Sequence, residues 1–209
     1  MTQHPDRRLA PSNTDKAFDS LLPEHLRCLS GRYWTPVDVA LRATTLLCPS
    51  RETRVLDIGS GVGKLCVVGA TSGTGWWCGV EQHEPFVHAA RMLASTLGVG
   101  DRTMFVHGNA LALDWHQFDA IYLYNPFESP LLHDVDPRQH LVDFRNQVAH
   151  VEQRLATLRD RVRVVTLDGF GGAMPPSYEL VYHERISVTG SKLALWVQHA
   201  GSLPRLEYS

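Results

Sequence analysis

Apolar and polar positions change period several times along this chain. From Phe18 to Leu29 the apolar residues fall at helical spacing, interrupted near Pro23, and "GRYWTPVDVALRATTLL" (31–47) predicts a turn followed by a helix. Thr35 stands there as N-cap, Pro36 at the first helical position and Asp38 in the positive first turn, with Val37, Leu41, Thr44 and Leu47 on one face. After "CPSRET" the period shortens. "RVLDIG", "WWCGVEQ", "TMFVHGN", "FDAIYLYNPF" and "RVRVVTLDGF" are short apolar runs that read as strands. "GKLCVVGATSG", "EPFVHAARMLASTLG" and "HLVDFRNQVAHVEQRLATLRD" read as helices between them. "YELVYHERISV", a "TGSK" turn and "LALWVQ" close the pattern as an antiparallel hairpin. Strand alternating with helix predicts an α/β fold with a mostly parallel sheet. Right-handed crossovers gather the loops that follow the strands along one edge, where ligands bind.

The polar, proline-containing residues 1–16 are expected to be a disordered tail, residues 17–50 a helical cap segment and residues 51–209 the main domain. A chain of 209 residues that is 44% hydrophobic buries one substantial core. Its formal net charge of −2 gives no general attraction to nucleic acid or to an anionic membrane. No window approaches the roughly 18 apolar residues of a membrane span, and the first residues form no apolar leader, so a cytoplasmic setting is expected. Cys28, Cys48, Cys66 and Cys78 include no CxxC pair; Cys66 and Cys78 sit in apolar runs and read as buried thiols. The histidines show no metal-ligand spacing, and no metal is expected.

The most informative stretch is "VLDIGSGVGKL" (55–65). A phosphate loop requires four residues between its glycines, then Lys and Ser/Thr. Counting back from Gly63-Lys64 puts Ile58 where the first glycine belongs and Leu65 where the hydroxyl belongs. The dinucleotide turn G-x-G-x-x-G fails as well, because Lys64 occupies its third glycine position. Lys64 is therefore expected to face solvent in the first helical turn. What remains is Asp57-x-Gly59-Ser60-Gly61-x-Gly63, and Glu81 ends the next strand at the distance, about 20 residues on, of a ribose-binding carboxylate.

This D-x-G-x-G-x-G string resembles the first motif of class I S-adenosylmethionine-dependent methyltransferases, and the resemblance spans about residues 31–199. It implies a Rossmann-like, doubly wound, mostly parallel seven-stranded sheet ending in an antiparallel hairpin, with S-adenosyl-L-methionine as cofactor. In such a turn Gly59, Ser60, Gly61 and Gly63 let the backbone approach the methionine part, while Asp57 supports the loop near the amino group. Glu81 would accept from the ribose hydroxyls, with Gln82 beside ribose or adenine, and Asn109 and Ala110 of "HGNALAL" by the adenine ring. "SGRYWTP" resembles a segment of DNA adenine methyltransferases in which an aromatic and a Thr meet the cofactor, which places Tyr33, Trp34 and Thr35 near the site.

Asn125-Pro126-Phe127 is similar, with one proline missing, to the N-P-P-[FY] tetrad of adenine- and glutamine-directed N-methyltransferases. By that likeness Asn125 accepts from a target amino group and borders the cofactor, and Tyr124 and Phe127 wall the pocket; otherwise Asn125 is a turn-forming Asn before Pro. Glu128 and His133 follow as candidate bases, and "DGFGGAMPPS" is a candidate far wall. The function implied is methyl transfer to a nitrogen or oxygen of a small molecule or a protein side chain. Near-neutral charge and the lack of a target-recognition insertion argue against nucleic acid, although an adenine-directed enzyme is one alternative. A non-catalytic cofactor-binding subunit and an NAD-dependent oxidoreductase on a related fold are the others.

Overall fold

A computed structural model describes residues 13–127, 137–187 and 190–199. Glu128, His133, residues 1–12 of the expected tail and Thr189 of the hairpin turn lie outside them. Helices α1 (Asn13–Asp19), α2 (Glu24–Arg27), α3 (Ser30–Tyr33) and α4 (Val37–Leu47) precede the first strand. Then come β1 (Arg54–Ile58), α5 (Lys64–Thr71), β2 (Trp76–Glu81), α6 (Glu84–Thr96), β3 (Thr103–His107) and β4 (Ala120–Tyr124). Helix α7 (Pro137–Ala156), β5 (Arg163–Leu167), β6 (Tyr178–Arg185) and β7 (Lys192–Gln198) complete the order.

The seven strands form one sheet in the order β3-β2-β1-β4-β5-β7-β6. β1 to β5 pair in parallel, and β7 enters antiparallel between β5 and β6. Strands covered on both faces are continuous apolar runs, which is why β1, β4 and β5 are almost wholly buried, whereas β6 at the sheet edge is mostly exposed. Alternate side chains feed two cores. Val55, Tyr122 and Val165 meet α4, α5 and α6 on one face, and Leu56, Ile121 and Val164 meet α7 on the other.

The N-terminal region departs from its expected outline. Helix α1 starts at Asn13, inside the expected tail, and Phe18–Leu29 is divided between the end of α1 and the short α2, which starts after Pro23. Thr35 does not cap α4: Pro36 holds the N-cap position, and the Val37 N–H donates instead to Asp15 Oδ1 at 3.0 Å. Leu41 leaves the expected apolar face and is 47% exposed, while Val39, Ala40 and Ala43 are buried. Phe18, Leu22, Val37 and Leu47 join the same core as β1 and β4. Among the described residues no helix is long and apolar enough to cross a membrane.

Candidate functional site

The carboxyl ends of β1, β2 and β4 meet where the strand order reverses, the place where open α/β sheets bind ligands. The turn after β1 is tight against its neighbours. Gly59 and Gly61 both adopt left-handed φ, +72° and +54°, and a Cβ would stand 2.9 Å from the Pro126 carbonyl oxygen at Gly59 and 2.9 Å from Trp34 Nε1 at Gly61. The Gly59 and Ser60 N–H groups donate to the Val80 carbonyl. Glu81, 8% exposed at the end of β2, closes the turn from the other side. Its Oε2 accepts from the Gly61 N–H at 3.0 Å and its Oε1 from the His83 N–H at 2.8 Å. Each carboxylate oxygen keeps a lone pair for a further donor.

These groups open onto a cavity of about 280 Å³. It brings together Tyr33, Gly59, Gly61, Glu81, Gln82, Asn109, Ala110, Tyr124, Asn125 and Phe127 from the sequence-derived set, with Trp34 beside them. Trp34 stands edge-on to Phe86, with centroids 6.3 Å apart, and Phe127 stands edge-on to Phe144 at the same separation, so two aromatic pairs wall the space. Asn109 Oδ1 accepts from the Leu111 N–H at 2.9 Å, which leaves its amide NH2 as the donor end. Asn125 has φ +39°, a conformation Asn tolerates better than most side chains.

Four residues of the set do not line this cavity. Thr35, Asp57 and Ser60 face a smaller polar space of about 20 Å³ behind the turn, and Gly63 packs against Phe105 and Ala90. The Thr35 hydroxyl and the Tyr122 phenol share a hydrogen bond of 2.9 Å. Burial pushes the Tyr122 phenol well above its ordinary range. Asp57 is 4% exposed. Burial raises its carboxyl to about 7, against the pull of the Cys66 thiol, which donates to Asp57 Oδ2 at 3.5 Å, while the Glu81 charge adds to the rise. Ser60 Oγ, seated over Gly79, is buried with no hydrogen-bond partner among the described residues.

Lys64 does not face solvent. Its ammonium is buried beneath α1, 2.6 Å from Asp15 Oδ1, 3.2 Å from Asp19 Oδ1 and 3.0 Å from Ser30 Oγ, with the Phe18 ring 5.2 Å away. A charged group at the start of a helix reads as solvated when its partners lie some 45 residues upstream; the matching signal was the pair Asp15 and Asp19, one helical turn apart. The loop "DGFGGAMPPS" does not form the far wall either: none of its residues lines the cavity, and Gly171 packs behind the Phe144 ring. The wall is α7, through His140, Asp143, Phe144 and Gln147, and His83 and Phe86 complete the opposite side. Sequence reasoning missed these residues, although 140, 143, 144 and 147 carry the spacing of one helix face. Among the described residues no group of three or more His, Cys, Asp or Glu could hold a metal ion.

Compared by sequence, the chain matches no protein-family model and no curated protein. Compared by structure, it is similar to TrmN from Thermus thermophilus, with a TM-score of 0.64 and 18% identity over 81% of this chain and 51% of that one. The chain thus spans about half the length of TrmN. An RNA methyltransferase from Salinibacter ruber, solved with S-adenosyl-L-homocysteine, superposes with a TM-score of 0.56 and 21% identity over 83% of this chain and 99% of that one. The CcbJ methyltransferase from Streptomyces caelestis does so at 0.55 and 15%, over 78% of this chain and 94% of that one. With its strand order, its glycine turn and these neighbours, the chain has the fold of the class I S-adenosylmethionine-dependent methyltransferases.

Proposed function

We propose that this protein is an S-adenosylmethionine-dependent methyltransferase that modifies a nitrogen or oxygen of a small molecule or a protein side chain. The observation that carries the reading is the bond between Glu81 and the Gly61 N–H, which joins a strand-end carboxylate to a left-handed glycine turn at the mouth of one cavity. The residues fit the cofactor. The cavity, about 280 Å³, is close to the lower end of the roughly 300–1,000 Å³ typical of small-molecule sites, and it combines aromatic walls with polar groups such as Glu81, Gln82, Asn109 and Asn125. The buried Ser60 hydroxyl behind the turn is a further polar atom with no hydrogen-bond partner among the described residues.

When bound, S-adenosylmethionine supplies an electrophilic methyl group on a sulfonium centre. Glu81 would accept from the ribose hydroxyls with the lone pairs left by Gly61 and His83. The Asn109 amide, held by its own bond to Leu111, would donate to the adenine, with Ala110 and Phe86 beside it. Gly59 and Gly61 border the cavity, where the methionine part would run along the turn. Asn125, at the end of β4, orients the acceptor, and Tyr124 and Phe127 exclude water from it. Positioning and desolvation are the protein's main contributions to an in-line transfer of this kind.

Titration calorimetry tests the reading. S-adenosylmethionine is expected to bind the purified chain, and Glu81→Ala to weaken binding by about 10- to 100-fold, the loss of a charged hydrogen-bonding group. Absence of both heat and thermal shift with the cofactor refutes the assignment, and a shift with NAD alone would point to hydride chemistry. Release of S-adenosylhomocysteine with an acceptor separates a working enzyme from a cofactor-binding subunit.

A further inference from the structure

Helix α7 turns one stripe of its surface inward, and the stripe changes character along its length. In the C-terminal half it is apolar: Val148, Val151 and Leu155 are buried in the core against β4 and β5. Steps of three and four carry the same stripe back through Phe144 to His140, with Asp143 and Gln147 alongside. These first two turns leave the core and line the cavity beside Asn125 and Phe127. His140 and Gln147 are half-buried and Asp143 is exposed, so this part of the face meets the open cavity rather than the core.

The chemistry of a ligand in the cavity follows from the lining. With Glu81 assigned to the cofactor, Asp143 is the carboxylate on the acceptor side, and the described lining residues include no Lys or Arg. Asp143 is exposed at the mouth, where its Oδ1 accepts from Gln139 Nε2 at 2.9 Å. A carboxylate so placed draws a cation and repels a phosphate or carboxylate. Beside it the Phe144 ring is held between Gly171 and an edge-on contact with Phe127 at 6.3 Å, a fixed aromatic surface.

Building on the methyltransferase reading, we propose that the α7 face selects a small arylalkylamine as the methyl acceptor. Asp143 draws in the ammonium form, His140 and Gln147 hydrogen-bond the polar end, and Phe127 and Phe144 hold the ring. The nitrogen first gives up a proton to solvent at the mouth. Its lone pair then forms the N–CH3 bond as the methyl–sulfur bond breaks, the electron pair of that bond staying on sulfur. A second proton from nitrogen leaves to solvent with the product.

The test uses the full chain with S-adenosylmethionine and three matched probes: phenethylamine, 3-phenylpropionate and phenyl phosphate. S-adenosylhomocysteine is expected with the amine alone. Asp143→Asn is expected to raise KM for the amine about tenfold or more, with kcat and the cofactor Kd unchanged, and Asp143→Glu to restore most of the loss. A thermal scan of each variant controls for folding. Turnover of either anion, preference for a lysine peptide or an RNA over the amine, or an unchanged KM in Asp143→Asn overturns the proposal. Cofactor binding with no turnover of amines overturns it while leaving the cofactor site standing; loss of cofactor binding in the wild-type chain overturns both.

Discussion

The Lys64 ammonium lies 2.6 Å from the Asp15 carboxylate, with the two side chains only 2% and 8% exposed. Asp15 also receives the Val37 N–H, so this one ion pair ties α1 and the start of α4 to the helix that follows the glycine turn. Between those two anchors the chain passes through Tyr33, Trp34 and Thr35, and Trp34 rests on Gly61. The ion pair thus holds the segment that carries Tyr33 and Trp34 against the helix that begins at the turn.

Lys64→Met leaves Asp15 and Asp19 buried without their cation. Removing one partner of a buried ion pair typically costs about 3–5 kcal/mol, and urea denaturation is expected to show a loss of that size. Replacing both aspartates by asparagine in the same chain is expected to recover part of it, since the uncompensated charges are what destabilise.

The buried Asp57 carboxyl gives stability a pH dependence of definite sign. Burial lifts it from an ordinary value of 3.8 to about 7, so between those values the folded chain holds a proton that the unfolded chain has released. Stability therefore falls as pH rises through that window, by up to about 1.4 kcal/mol per unit, and levels off above it. Asp57→Asn is expected to flatten the trend. Denaturation midpoints at pH 5 and pH 8 give the comparison.

The four thiols divide by environment. Cys28 is exposed, whereas Cys48, Cys66 and Cys78 are buried. Burial pushes Cys48 up to about 12 and Cys78 to about 11, and carries Cys66 well above the ordinary thiol range. A chromogenic disulfide reagent at pH 8 is expected to titrate one thiol quickly in the native chain and all four in denaturant.

Asn125 combines a strained backbone with a side chain in the cavity, and the two separate by substitution. Asn125→Gly keeps the positive φ and is expected to leave stability within about 0.5 kcal/mol, whereas Asn125→Val is expected to lose about 1–2 kcal/mol. Both remove the amide, so both are expected to lower methyl transfer while cofactor affinity in the Gly variant stays within about threefold. Equal transfer by Asn125→Gly and the wild type would show that the amide does not orient the acceptor.

The sheet, and the glycine turn with Glu81 beside it, were legible because their signals are local. Asp57 to Gly63 is one turn, and Glu81 ends the adjacent strand, so spacing along the chain translates into spacing in the fold. Lys64 was misread because its environment is supplied by α1, whose approach no local pattern encodes. The α7 contribution was missed for a related reason. His140, Asp143 and Gln147 follow helical spacing like many solvated faces, and only the arrangement against β4 turns that face toward Asn125. The post-β5 loop was assigned a wall because it is rich in glycine, yet its glycines serve the packing of Phe144 and Val148.

The reversed direction of β7 has a practical consequence. Leu193 pairs with Leu167 at the ligand edge of the sheet, and Val197 pairs with Arg163 at the other, so the backbone leaves the sheet at Gln198 and His199 from the edge opposite the cavity. A strand of five paired residues sets the two ends about 13 Å apart. A dye or a cross-link attached at the exposed His199 side chain therefore sits at the end of the sheet opposite the cavity.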